Sequence, residues 1–341
     1  MGLLSHIPFL KNFAELSQLG IMGMNRRNYS YIGRYNPRSL FPLVDDKLKT
    51  KKLALEHGVT VPELIGVISS QHDVASIHDI VQDHPAFCIK PAKGSGGKGI
   101  MVVAGKNDEG KYIKSNQQVI EREDVQRHTS NILAGLFSLG GATDVAVLET
   151  RIVVEEALTK FSYEGVPDIR VIVFRGIPVM AMMRLSCAAS NGKANLHQGA
   201  VGVGLSISEG KAVNAVQNDH PVRYHPDTGQ DLFELALPSW DRLLHLACAC
   251  SDMSGLGYLG VDLVIDQNRG PMLLELNARP GLSIQLANNQ GLLPRLQSVE
   301  RLKSPQRMSI DDRIAYAQKY FHVAPGAASI LGDSFTVDPE A

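Results

Sequence analysis

Hydrophobic positions change their period several times along the chain, and each change predicts an element. Residues 46–57 carry apolar positions at helical spacing through a run of lysines, and Gly58 follows as the residue best suited to a left-handed C-cap. Residues 59–62 then read as the entry to a strand. The runs 87–90 and 100–103 are β-rich and flank the glycine-rich stretch 94–99, giving strand, loop, strand. Residues 116–140 read as helix closed by Gly140-Gly141, and a second β-rich half begins near Arg151. There the runs 152–154, 169–174 and 178–183 predict a sheet, with turns at 165–167 and 175–176. A helix at 239–254 precedes two last strands, 261–265 and 272–276. From about Ser304 one helical stretch leads into a Pro, Gly and Ala-rich tail expected to be mobile.

Composition sets outer bounds. A chain of 341 residues exceeds one average domain, and 44% hydrophobic with 20% charged residues is the balance of a globular protein with a sizeable core. Formal net charge is −1, so no global field drives the chain onto nucleic acid or an anionic membrane. No apolar run reaches the roughly 18 residues of a membrane span, and the N-terminus lacks the basic start of a secretory signal. A cytoplasmic enzyme is the expectation. Cys88, Cys187, Cys248 and Cys250 lack zinc-site spacing and read as reduced, structural thiols. The charge that matters is local: residues 1–44 hold Lys11, Arg26, Arg27, Arg34 and Arg38 against one acid, Glu15.

Two segments carry candidate chemistry. Lys90-Pro91-Ala92-Lys93-Gly94-Ser95-Gly96-Gly97-Lys98-Gly99 concentrates unobstructed backbone amides beside three lysines, which suits a flap over a polyphosphate. A dinucleotide fingerprint fails on context, because a strand rather than a helix follows the glycines. A Walker loop fails because Gly99 precedes Ile100 instead of Lys-Ser/Thr. The second segment, 260–277, reads as a hairpin. Counting symmetrically from its turn, Ile265 faces Met272 and Asp262 faces Glu275, while period-two alternation puts Asn277 on the face of Glu275. Two carboxylates and an amide converging in an apolar hairpin suit a hard cation such as Mg²⁺.

Asp46-Lys47, Lys90-Pro91 with its flap, Glu155-Glu156-Ala157-Leu158, Asp168-Ile169-Arg170, Asn195-Leu196-His197, and Asp262 with Glu275-Leu276-Asn277-Ala278-Arg279-Pro280-Gly281 together resemble the ATP-grasp ligases. Their order and spacing are most similar to the glutamate ligases of a ribosomal protein and the alpha-L-glutamate ligase-related group, over about residues 45–300. The resemblance implies an α+β, ATP-grasp fold of two subdomains clamping ATP: a basic arm at 1–44, a flap subdomain at 45–154, a metal subdomain at 155–303, and a C-terminal helix and tail at 304–341. It implies that Lys47, Lys90 and the flap residues Ser95, Gly96 and Gly97 reach the phosphates. It places Glu155, Glu156, Ala157 and Leu158 at the adenine, Asp168 at the ribose, and Lys193, Asn195 and Arg184 near the phosphates. Asp262, Glu275 and Asn277 would hold Mg²⁺ or Mn²⁺.

The implied reaction joins a carboxylate, glutamate being one candidate, to an amine of a small molecule or peptide through an acyl phosphate. Arg279 would anchor the carboxylate, and His197 would orient the acyl phosphate or take the amine proton. A small-molecule kinase and a nucleotide-gated binding subunit are the alternatives. Two departures stand out: only 46 residues precede Lys47, where such ligases carry a nucleotide-fold domain, and Arg279 replaces a serine. A partner or second copy supplying part of the acceptor site is one way to fill the gap. The other is that the basic arm docks beside the cleft and presents its arginines to an acidic acceptor.

Overall fold

A computed structural model of the protein describes residues 16, 18–94 and 96–322. Ser95 of the flap, Lys11 and Glu15 of the lead, and the tail at 323–341 lie outside the described residues.

Two antiparallel sheets organise the chain. The first contains β1 (Leu64–Ile68), β2 (Phe87–Pro91), β3 (Met101–Lys106), β4 (Tyr112–Lys114), β5 (Val119–Ile120) and β6 (Ala146–Thr150), in the order β1-β6-β2-β3-β4-β5. The second contains β7 (Asp168–Phe174), β8 (Ile177–Leu185), β9 (Val201–Leu205), β10 (Ala212–Gln217), β11 (His220–Pro221), β12 (Tyr258–Asp266) and β13 (Gly270–Asn277), in the order β11-β10-β9-β8-β7-β12-β13. Each sheet has its own apolar cluster, the smaller around Phe87, Ile89 and Leu148 and the larger around Val171, Leu259 and Leu263. Helix Arg122–Leu133 covers the first sheet, and helix Trp240–Ser254 lies on the second. No helix among the described residues is long and apolar enough to cross a membrane.

The predicted elements meet the structure with informative differences. Helix Lys47–Glu56 starts where Asp46 caps Leu48 N and Lys49 N, and it ends before Gly58 at φ +69°. Ala54 and Val59 are buried in the larger cluster, so by packing this segment belongs with the second sheet although it precedes the first in sequence. The expected helix 116–140 shrinks to Arg122–Leu133, because Glu121 and Asp124 form a capping box and the residues before it pair as β4 and β5. Residues 152–154 contribute one isolated bridge, Val154 to Asp266, and the strand of that region is β6. In the hairpin Asp262 pairs with Glu275 as counted. A bulge between Asp262 and Leu263 then shifts the register, and Ile265 faces Pro271 rather than Met272. The cysteines are all free, three of them fully buried.

The short lead is no solvated arm. Residues 24–45 wind through helical turns, and Tyr31 and Tyr35 meet Phe174 edge-on at centroid distances of 5.5 and 4.9 Å. Buried Asn36 acts as a clip: its Nδ2 donates to Tyr258 O at 2.7 Å and Ala278 O at 3.0 Å, and Tyr258 N donates to its Oδ1 at 2.8 Å. Farther back, Met22 N donates to Gln285 Oε1 at 2.8 Å, and Gln285 Nε2 donates to Met22 O at 3.1 Å. Asn36→Ala leaves three buried backbone groups without partners and is expected to cost about 2–4 kcal/mol in urea unfolding. A loss below about 0.5 kcal/mol would mean that the aromatic contacts alone seat the lead.

Candidate functional site

Charged side chains enter the second sheet at one level of three adjacent strands. Register pairs Asp168 of β7 with Arg184 of β8, and Arg170 of β7 with Asp262 of β12. Arg170 grips Asp262 through two bonds, Nε to Oδ1 at 2.7 Å and Nη2 to Oδ2 at 2.6 Å. Arg184 bridges both acids, donating from Nη2 to Asp168 Oδ2 at 2.6 Å and to Asp262 Oδ2 at 2.8 Å. Both aspartates are buried. Burial disfavours the charge of Asp262, but Arg170 and Arg184 outweigh it and hold the carboxyl down at about 2. Burial dominates at Asp168, partly offset by Arg184 and reinforced by Asp262, and pushes that carboxyl up to about 6.

Glu275 and Asn277 stand on β13 beside this lattice. Asn277 Nδ2 donates to Asp262 Oδ2 at 3.1 Å, while Glu275 is one-third exposed. Lys47 Nζ joins the sheets: it donates to Glu275 Oε1 at 3.2 Å and to Gly94 O, at the flap base, at 2.6 Å. Asp144 fixes that base by accepting from Lys93 N at 3.1 and 3.0 Å. The flap then turns through Gly96, Gly97 and Gly99, all at positive φ. A Cβ on Gly97 would lie 3.9 Å from Lys193 Cδ, which brings the flap tip to Lys193.

Beneath the flap, Lys90 Nζ lies 2.5 Å from Glu149 Oε2, and Lys51 Nζ lies 2.7 Å from Glu149 Oε1. All three are buried. Burial opposes each charge. The two lysines nevertheless hold Glu149 below the usual carboxylate range, and Glu149 raises Lys90, whereas burial prevails at Lys51 and lowers it.

The other expected positions have the following surroundings. Arg184 is bonded to two carboxylates inside the sheet, and Asp168 is buried against it. The chain leaves the first sheet directly after Thr150, so residues 155–158 lie past the crossover. Glu155 N donates to Ile265 O at 3.1 Å, Glu156 and Ala157 are exposed, and Leu158 is a core residue. Glu149, near the end of β6, is the acid that faces Lys90. Asn195 caps the turn Leu196–Gln198 by accepting from His197 N at 3.1 Å. His197 is exposed, and its Nε2 comes within 3.9 Å of a Cβ placed on Gly281, so it borders the Arg279-Pro280-Gly281 loop. Arg279 lies over the Phe41 ring at 5.1 Å and donates to Asp45 Oδ2 at 3.2 Å.

Sequence reasoning missed Lys51, Glu149 and Arg170. Their signals were present: Lys47 and Lys51 share a helix face at i, i+4, and Arg170 and Glu149 are charges inside otherwise apolar strands.

The donor set fits a hard divalent cation with one qualification. Glu275 Oε2, the Asn277 amide oxygen and the spare lone pairs of Asp262 are oxygen donors of the right kind. Asp262 is already charge-balanced by arginine, however, so Glu275 is the more available carboxylate. Among the described residues no group of three or more His, Cys, Asp or Glu forms a metal cage. The set therefore depends on the amide of Asn277.

The family model for sugar-transfer associated ATP-grasp proteins matches residues 26–301, and the chain belongs to that family. It is 23% identical over 267 residues to a probable alpha-L-glutamate ligase of Aeromonas salmonicida (strain A449), covering 77% of this chain and 65% of that one. It is 24% identical over 237 residues to a probable alpha-L-glutamate ligase of Maridesulfovibrio salexigens, covering 70% of this chain and 56% of that one. The chain thus spans under two thirds of the length of each of these curated relatives. Among solved structures, D-cycloserine synthetase aligns at 18% identity with a TM-score of 0.45, over 78% of this chain and 73% of that one.

Glu149→Gln tests the buried lysine pair. It leaves two buried ammonium groups without a counter-charge and is expected to destabilise the fold by about 3–5 kcal/mol at pH 7. Because Glu149 titrates below its unfolded value of about 4.3, its contribution is complete above that pH and disappears as pH falls through the depressed value. Urea unfolding from pH 7 to pH 3 should show an acid loss in the wild type that is reduced in the variant. Equal pH slopes would contradict the pairing.

Proposed function

We propose that the chain is an ATP-dependent ligase that joins a carboxylate to an amine through an acyl phosphate, releasing ADP and phosphate. The observation that carries this reading is the meeting of Lys47, Glu275 and the flap carbonyl of Gly94 within 3.2 Å. A fixed cation, a carboxylate and a glycine-rich loop from both sheets converge where a triphosphate needs them. Membership in an ATP-grasp family and the likeness to probable alpha-L-glutamate ligases support it, with glutamate as one substrate.

In this reading Lys47, Lys90 and the backbone amides of Gly96 and Gly97 bind the phosphates, and Lys193 meets them from the second sheet. Glu275 and Asn277, backed by Asp262, hold Mg²⁺, which supplies charge neutralisation on the phosphate oxygens. The lattice of Arg170, Arg184, Asp168 and Asp262 keeps those ligands in register. A substrate carboxylate oxygen attacks the γ-phosphorus, the bond to the β-phosphate oxygen breaks, and ADP leaves. The amine then attacks the acyl carbon, phosphate departs, and the amine proton passes to His197 or water. Arg279, with its planar fork, orients the carboxylate.

Two measurements test this. Hydroxylamine added with ATP, Mg²⁺ and glutamate should trap the acyl phosphate as a hydroxamate. A stable phosphate ester in its place, formed on a hydroxyl substrate, would sink the ligase reading in favour of a kinase. Separately, Lys90→Met should weaken ATP binding tenfold or more, about 1.4 kcal/mol, because Lys90 is buried and fixed while Lys51 still pairs with Glu149. Lys98→Met, on the exposed flap, should cost less than threefold. Equal losses in a nucleotide titration would show that the flap lysine is as well placed as the strand lysine.

A further inference from the structure

Between the docked lead and the loop after β13 lies a cavity of about 900 Å³. Its lining is charged unevenly. Arg27 and Arg38 come from the lead, Lys49 from helix Lys47–Glu56, Lys93 from the flap base and Arg279 from the loop. Two acids share the lining, and both are engaged. Asp45 accepts from Arg279 at 3.2 Å, and Asp46 accepts from Leu48 N and Lys49 N at 3.0 and 3.1 Å. Five cations against two carboxylates leave a surplus of three positive charges in a chain whose formal net charge is −1. Among the described residues neither the Arg38 guanidinium nor the Lys49 ammonium forms an ion pair.

One side of the cationic wall is held in place. Asn36, which also lines the cavity, is clipped to Tyr258 and Ala278, and Arg27 Nη1 donates to Pro280 O at 2.8 Å. An anion entering there meets the Arg27 guanidinium already oriented, so less of its binding energy is spent on ordering that group. The cavity also abuts the candidate site. Asp46 caps the helix whose first residue, Lys47, reaches Glu275 and Gly94, and Arg279 follows Asn277 by two residues.

We infer that this cavity is the acceptor subsite, and that it takes a part of the acceptor carrying at least two negative charges, as a phosphate ester or as neighbouring carboxylates. The inference rests on the ligase reading for the word acceptor. A neutral or singly charged group would leave the surplus uncompensated, whereas a doubly charged one is matched by guanidinium forks and ammonium groups from four segments.

Deleting the lead is a poor test, because Met22, Tyr31 and Ile32 belong to the core and their loss would unfold the protein. The full chain, saturated with ADP and Mg²⁺, is titrated calorimetrically with glycerol 3-phosphate, propane-1,2,3-tricarboxylate and glycerol. At least one of the two anions should bind tenfold or more tightly than glycerol, and which one does so identifies the source of the charge. Arg38→Gln and Lys49→Gln should each weaken that binding threefold or more and leave ADP affinity unchanged. Neither anion outdoing glycerol, or both variants binding like the wild type, overturns the inference. ADP affinity, read from the saturation step, reports separately on the ligase reading: wild-type protein that does not bind ADP sinks that reading whatever the anions do.

Discussion

Two arginines and two aspartates, buried at one level of β7, β8 and β12, are the constraint on which the rest of the site depends. Ions taken out of water are tolerated only when each is paired, and removing one member typically costs about 3–5 kcal/mol. Every member here contacts at least one ion of opposite sign. The lattice fixes the register of the neighbouring strands, since slipping β12 by one residue would turn Asp262 away from Arg170. The register of β12 in turn sets β13, through the bulge that leaves Asp262 opposite Glu275. The half-buried carboxylate of Glu275 and the amide of Asn277 therefore owe their position to that lattice.

Lys47 carries that positioning across to the other sheet. Its ammonium is shared between Glu275 and the carbonyl of Gly94, so the flap base is tied to the acidic hairpin by one side chain. Lys51, one turn on, is spent on Glu149 and Pro62 O and belongs to the first sheet's edge of the cleft. A single helix, Lys47–Glu56, thus faces both halves while packing its apolar side chains into the larger core. The beginning of the chain serves as the joint between sheets built much later in sequence.

The sequence disclosed those parts whose chemistry is local. Asp46 with Gly58 bounded a helix, the glycines of the flap marked a loop between two strands, and the opposition of Asp262 and Glu275 followed from counting around a turn. What stayed hidden depended on tertiary partners. The strand Val201–Leu205 was not anticipated, and its Gly204 is explained only by a distant partner, since a Cβ there would lie 2.3 Å from Ala287 O. The bulge in the hairpin has no marker in composition. Asp168 and Arg184 were placed at the ribose and the phosphates by resemblance alone, and only the register shows each to be the other's partner.

The docked lead has a consequence for how the molecule comes to be folded. Met22 bonds to Gln285 and Asn36 to Tyr258, partners separated by 263 and 222 residues. During synthesis the lead emerges before its partners, and its aromatic face around Tyr31 and Tyr35 has nothing to pack against until Phe174 and Tyr258 have left the ribosome. Contacts of such long sequence separation form late, and apolar surface waiting for them is open to association with other chains. The first sheet, closed within residues 64–150, can be complete well before then. The larger core is sealed last, by the oldest part of the nascent chain.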